Sequence, residues 1–145
     1  MGSIEKAETK SCVVVRASEA AEGRTGVTYA AGISATSAGA SGLCLQLASL
    51  APGVRSRPHQ HDEHESAAYV IEGELVLWFG EQLEHKVAAR TGDFVYIPDG
   101  VPHVVLNPSE TEPAVAVLAR TDPNAQEDVT ALPDLDALPH LRADG

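Results

Sequence analysis

The chain has 145 residues, enough for one domain around one hydrophobic core and too few for two of ordinary size. Its 43% hydrophobic and 21% charged residues describe a chain that can bury a core and stay globular. A formal net charge of −11, with no Lys/Arg cluster to offset it locally, opposes phosphate backbones and anionic lipid surfaces, and so excludes nucleic acid and membrane as expected partners.

The first 30 residues contain one apolar run, Cys12–Val15, too short for a secretory leader. No stretch approaches the roughly 20 apolar residues that span a bilayer, so a cytoplasmic location is expected. Cys12 and Cys44 form no Cys-x-x-Cys spacing and are expected to be free thiols.

Gly and Pro, 12 and 9 of them, punctuate the chain densely and favour short strands joined by turns. In chain order the predicted strands are Cys12–Arg16, Val27–Ala31, Leu43–Ala48 and Ala67–Ile71, then Leu75–Phe79 after the turn-like Glu72-Gly73-Glu74. Leu83–Ala88 follows, then Phe94–Ile97 between Gly92-Asp93 and Pro98-Asp-Gly100, then His103–Leu106 and Ala114–Ala119. Nothing long and 3.6-periodic competes as a helix. From Thr121 the pattern decays into Thr-Asp-Pro-Asn and Leu132-Pro-Asp-Leu-Asp-Ala-Leu-Pro139, which predicts a weakly packed tail with one helical turn near Leu135. Many short strands with little helix point to an all-β sandwich or barrel, in which alternate side chains converge on one interior. The expected organisation is N-terminal strands over 1–40, a barrel core over 41–120 and a tail over 121–145.

Two segments carry chemistry. His59 and His61 are one residue apart, so a strand presents both imidazoles on one face. Glu65 lies four residues further on, where a turn or bulge can bring its carboxylate beside them, and His103 comes from a separate strand after a Pro-rich turn. Three imidazoles and a carboxylate suit Fe²⁺, Mn²⁺, Co²⁺, Ni²⁺, Cu²⁺ or Zn²⁺. Four ligands on an ion that accepts five or six leave positions open for substrate, as in catalytic rather than structural sites. The competing reading of His59-Gln-His-Asp-Glu-His-Glu65 as a solvated polar loop is weakened by the second segment, Gly92, Pro98, Gly100, His103 and Asn107 in fixed spacing.

These spacings resemble the cupin superfamily, whose motifs are G-x5-H-x-H-x3,4-E-x6-G and G-x5-P-x-G-x2-H-x3-N. Gly53, His59, His61 and Glu65 match the first, and all five fixed positions of the second are present. The resemblance covers about Gly42 to Ala119 and is closest to small bacterial single-domain cupins. It implies a double-stranded β-helix, a jelly-roll-like barrel with short extended termini, one divalent metal (Zn²⁺ or Fe²⁺ first) on His59, His61, Glu65 and His103, and a homodimer. One departure is that seven residues rather than six separate Glu65 from Gly73, so counting back from Gly73 puts Ser66 in the glutamate slot. A one-residue shift turns a strand side chain to the opposite face. A bulge that still admits Glu65 is the expected solution, with His64 as the substitute ligand.

The fold implied by the resemblance hosts epimerases, dioxygenases, lyases, cyclases and binding proteins, so it does not choose a reaction. The favoured expectation is an epimerase or isomerase that moves a proton beside a metal-chelated carbonyl of a 2-oxo acid or β-dicarbonyl, with Glu65, His64 and Tyr69 as candidate proton carriers. An Fe²⁺ dioxygenase and a non-catalytic small-molecule binding module are the alternatives. Cys44 and Gln46 share a strand face and either line the expected pocket or pack under the barrel wall, whereas His85 and His140 are expected at the surface.

Overall fold

A computed structural model describes residues 10–16, 21–22, 25–124 and 129–144. Its strands are β1 (Ala21–Glu22), β2 (Thr28–Ile33), β3 (Cys44–Leu50), β4 (His59–His61), β5 (Ser66–Glu72), β6 (Glu74–Phe79), β7 (His85–Arg90), β8 (Phe94–Ile97), β9 (His103–Leu106), β10 (Ala114–Arg120) and β11 (Val129–Ala131). One helical turn, α1 (Ala35–Ala38), follows β2, and a 3₁₀ turn (Pro133–Ala137) and α2 (Pro139–Asp144) close the described chain. The strands form two antiparallel sheets, ordered β1-β2-β3-β10-β5-β8 and β11-β4-β9-β6-β7. This is the two-sheet, jelly-roll-like architecture expected from the sequence.

Alternation along the strands builds the space between the sheets. Leu50, Val70, Leu75, Leu77, Ala89, Ala114 and Ala116 are buried there with Val27, and their cross-strand partners fall in step, Leu75 opposite Ala89 and Ala116 opposite Val70. The run Glu74–Phe79 reads as almost continuously apolar because its outer face is covered too. There Leu83, Val104 and Leu141 form a second cluster with Trp78, Leu135 and Leu138.

That cluster corrects the weakly packed tail: Leu141 is fully buried, and His140 accompanies it, its Nε2 2.9 Å from the Leu83 carbonyl and its ring against Trp78. His85 is exposed as expected. Cys12–Arg16 is not a strand, and the other predicted strands appear within a few residues of their expected ends. No disulfide joins Cys12 and Cys44. No described helix is long and apolar enough to cross a membrane.

Two short tethers set the strands that carry the histidines. β4 and β9 pair only at His59 and His103, so the segment before β4 supplies the remaining ties. Ser56 N–H donates to the Val105 carbonyl at 2.8 Å, Val105 N–H donates to Ser56 Oγ at 2.9 Å, and Asn107 N–H donates to the Val54 carbonyl at 2.9 Å. Fully buried Asn107 also donates from Nδ2 to the Leu50 and Glu112 carbonyls and accepts from Ser109 N–H, so this last position of the second motif is a structural knot away from the histidines. Gly100, at φ +71°, donates its N–H to the His61 carbonyl at 2.7 Å. That left-handed turn, which glycine adopts without strain, ties the second motif to the first.

Candidate metal centre

His59, His61 and His103 converge on the interior, all buried, with one ligand nitrogen from each within 4.8 Å of the others. His59 and His61 share the inward face of β4, and His103 joins them because it is cross-strand partner to His59. The rings are close, with centroids 4.3 Å apart for His59 and His103. His59 Nδ1 lies 2.7 Å from the Arg57 carbonyl and His103 Nδ1 2.9 Å from the Val101 carbonyl. A carbonyl can only accept, so both Nδ1 atoms carry the proton and both Nε2 atoms keep a lone pair, the arrangement in which histidine ligates metals. The buried Nδ1 of His61 has no hydrogen-bond partner among the described residues, so no such bond fixes which nitrogen its ring presents.

Burial, partly offset by the Arg57 carbonyl, holds His59 below the ordinary histidine range. Burial also pushes His61 down to about 3, helped by the neighbouring His103 and His59 and by the charges of Arg120 and His64. Both are therefore neutral at pH 7, as ligation requires. Three buried imidazoles, two of them with Nδ1 held on a backbone carbonyl, fit a borderline divalent cation such as Fe²⁺, Co²⁺, Ni²⁺ or Zn²⁺.

Glu65 is not the fourth member of this group. Its side chain is exposed, its Oε1 accepts a hydrogen bond from Tyr96 Oη at 2.7 Å, and its backbone pairs with Thr121. Ser66 faces inward instead, buried, with an Oγ that has no hydrogen-bond partner among the described residues. The reason is register. Opposite β10, Ser66, Ala68 and Val70 pair with Arg120, Leu118 and Ala116, all of the inward row, and this leaves Glu65, Ala67 and Tyr69 facing out. The expected bulge is present between Val70 and Glu72, on the Gly73 side of β5, where it cannot turn Glu65 inward. Gly73 itself is required: a Cβ there would lie 2.5 Å from the Pro113 carbonyl oxygen.

The other expected proton carriers also lie elsewhere. Tyr69 is on the outer face, 39% exposed, with its ring 4.7 Å from Phe94. His64 turns to the buried carboxylate of Asp122, with Nε2 3.6 Å from Oδ2. Arg120, which no motif singles out, is 2% exposed at the end of the inward row of β10, and its charge acts on His61. A charged residue at a strand end reads as surface, so only the alternation from Ala114 could have revealed it. Cys44 and Gln46 are buried on the inward row of β3, but the cavity beside the triad is lined further along that row, by Ala48 and Leu50.

That cavity, about 70 Å³, has the three histidines on the wall formed by β4 and β9 and Ser66 on the facing sheet, with Val27, Leu75, Leu77, Val95, Ile97 and Leu118 also lining it. No carboxylate of the described residues lines it.

The Cupin domain family matches residues 46–119, about half the chain. Germin-like protein 12-2 of Oryza sativa subsp. japonica is 31% identical over 90 residues, 57% of this chain and 39% of the relative, so the chain spans about two fifths of that protein. Among solved structures, a single-substitution variant of Bacillus subtilis oxalate decarboxylase OxdC superposes with a TM-score of 0.65 at 20% identity, over 79% of this chain and 30% of that one. The polyketide cyclase RemF of Streptomyces resistomycificus superposes with a TM-score of 0.64 at 22% identity, over 86% of this chain and 85% of that one. With its two facing sheets, its inward triad and the family match over the strands that carry it, the chain belongs to the cupin family.

Proposed function

We propose that this cupin is a metal-dependent enzyme acting on a small molecule that chelates the ion through oxygen atoms. The observation that carries the reading is the chamber itself: three imidazoles on one wall, apolar side chains on the others, and no described carboxylate. A bound ion would supply open coordination positions, Lewis acidity and, as Fe²⁺, chemistry with dioxygen. The residues of the chain do the rest. Three neutral ligands leave the ion its full positive charge, which favours an anionic chelate such as an enolate or 2-oxo acid. Apolar walls exclude water and strengthen that attraction. Ser66 Oγ is available to donate to an oxygen of the bound chelate, since it has no partner among the described residues.

Between the reactions open to such a site, oxidation by dioxygen is supported best. An epimerase or isomerase needs a protein group beside the carbonyl to take and return a proton. Glu65 and Tyr69 face outward and His64 is engaged by Asp122. Proton transfer is the second reading, favoured by the unpartnered Ser66 Oγ alone. The similar structures named above are enzymes of oxalate and of polyketides, and at their level of identity they support the fold only.

Purified protein of known metal content, incubated with a panel of chiral 2-oxo acids and β-diketones, separates the readings. Oxygen uptake with Fe²⁺, lost when Zn²⁺ replaces it, is the expected result. Deuterium incorporated beside the carbonyl under anaerobic D₂O conditions, without oxygen uptake in air, would favour proton transfer. Neither response across the panel would leave the chain a binding module.

A further inference from the structure

The barrel is open along one side, and the opening leads to the metal ligands. β7 and β8 end their respective sheets, and residues 91–93 join them directly. On β7, Ala89 and Val87 both pair with inward residues of β6, Leu75 and Leu77, and so point between the sheets. Ala89 is 5% exposed, as an inward residue should be, but Val87 is 49% exposed. At Val87 the two sheets have parted. The gap is a trough of about 260 Å³ lined outside the chamber by Phe79, Val87, Tyr96, Pro98 and Val101. Its inner wall is Leu77, Val95, Ile97 and His103, all of which also line the metal chamber. Phe79 and His103 are cross-strand partners, so the trough begins beside a metal ligand. No carboxylate, ammonium or guanidinium group of the described residues lines it.

Resting on the reading of the chamber as a chelate site, we infer that the substrate carries an unbranched apolar tail, and that this tail leaves the chamber through the gap between β7 and β8. The chamber alone, about 70 Å³, holds a head of only a few heavy atoms. A fully charged, compact dianion would leave the apolar trough wet and unused, whereas an alkyl chain running from the chelating head past Leu77 and Val87 covers surface that the fold exposes at cost. Continuity with the histidines selects this occupant over a second copy of the chain, which would need the trough's outer rim and not its contact with His103.

The test is a chain-length series of straight-chain 2-oxo acids from pyruvate to 2-oxooctanoate, titrated calorimetrically into Zn²⁺-loaded protein, with straight-chain alkanols on metal-free protein followed by amide shifts of Val87 and Val101. Affinity for the acids should rise about two- to fourfold per methylene, and Val87→Asp should flatten that slope while stoichiometric Zn²⁺ is retained. A flat series in the wild type, or an unchanged slope in the variant, overturns the inference. If no acid binds but the alkanols still show the slope, the chelate reading fails and the trough stands; if neither shows it, the trough proposal falls. A variant that only converts dimer to monomer in sedimentation, with the slope intact, would assign the trough to a second copy instead.

Discussion

Removing the Glu65 carboxylate should leave the metal in place. In Glu65→Ala the affinity for Zn²⁺ or Co²⁺, measured by competition with a chromophoric chelator, should stay within about twofold of wild type, because Glu65 faces outward and is held there by Tyr96. For Glu65 to reach the triad, β5 would have to slip by one residue against β10, turning Val70 from fully buried to exposed. That burial alone is worth about 1.5–3 kcal/mol, so at 1.4 kcal/mol per tenfold the slipped register would be populated at roughly a tenth or less. His61→Ala removes a ligand from the buried triad and should cost more than the roughly 10–100-fold that loss of a supporting outer group costs. A drop of more than tenfold in Glu65→Ala, with a smaller effect in His61→Ala, would refute the register and restore the carboxylate as a ligand.

Asn107→Ala leaves the Leu50 and Glu112 carbonyls and Ser109 N–H without their side-chain partner. Only the bond to Leu50 is fully buried, and the other two groups can regain water; with an unsatisfied buried group costing about 1–3 kcal/mol, urea unfolding should show a loss of about 1–3 kcal/mol with metal stoichiometry retained, and a loss below about 0.5 kcal/mol would mean water replaces the knot. Leu141→Ala, which empties the centre of the second cluster, should cost about 2–4 kcal/mol in the same assay. A freely dispensable tail, removable without change in stability, would contradict it. Stripping the metal with a chelator should remove about 2.7 kcal/mol of stability relative to protein at a free metal concentration of 100 Kd, and lower the melting temperature accordingly, while unfolding stays cooperative, because the central core is built from residues other than the triad. Loss of cooperative unfolding in differential scanning calorimetry would show that the ion also holds the fold.

The strands legible in the sequence are those whose alternation or apolar run serves the space between the sheets, such as Cys44–Leu50 and Phe94–Ile97. The histidine spacing was legible for the same reason, since residues two apart on β4 must share a face and β9 only had to pair with it. Cys12–Arg16 has strand composition, but β-propensity reports fit to a packed surface rather than an intrinsic backbone preference, and Val13 and Val14 are exposed. β11 is three residues long and gains its partner only because β4 needs its free edge covered, with Thr130 Oγ1 donating to Asp62. The packing of the tail is masked in the sequence by its prolines. Leu135, Leu138 and Leu141 are three apart, a helical stripe, but Pro133 and Pro139 read as breakers when they in fact open the 3₁₀ turn and α2, where a missing N–H costs nothing.

The residue inserted before Gly73 offers a way to separate spacing from facing. Deleting Ile71 restores six residues between Glu65 and the glycine, as the family motif has it, and two outcomes then compete. If the bulge persists, β5 slides by one residue and Glu65 enters the chamber. If the bulge disappears, Val70 is followed directly by Glu72, regular pairing opposite Ala116 and Val115 results, and Ser66 keeps its place. The first outcome drives Tyr69 inward into a cavity of about 70 Å³, an overpacking that costs about 1–3 kcal/mol, and exposes Val70 as well. The second loses only an irregularity. The deletion should therefore leave metal affinity unchanged and Ser66 inaccessible. A deletion variant that binds metal at least tenfold more tightly, and loses that gain on Glu65→Ala, would show that distance from the glycine, and not register across β10, decides which side chain meets the metal.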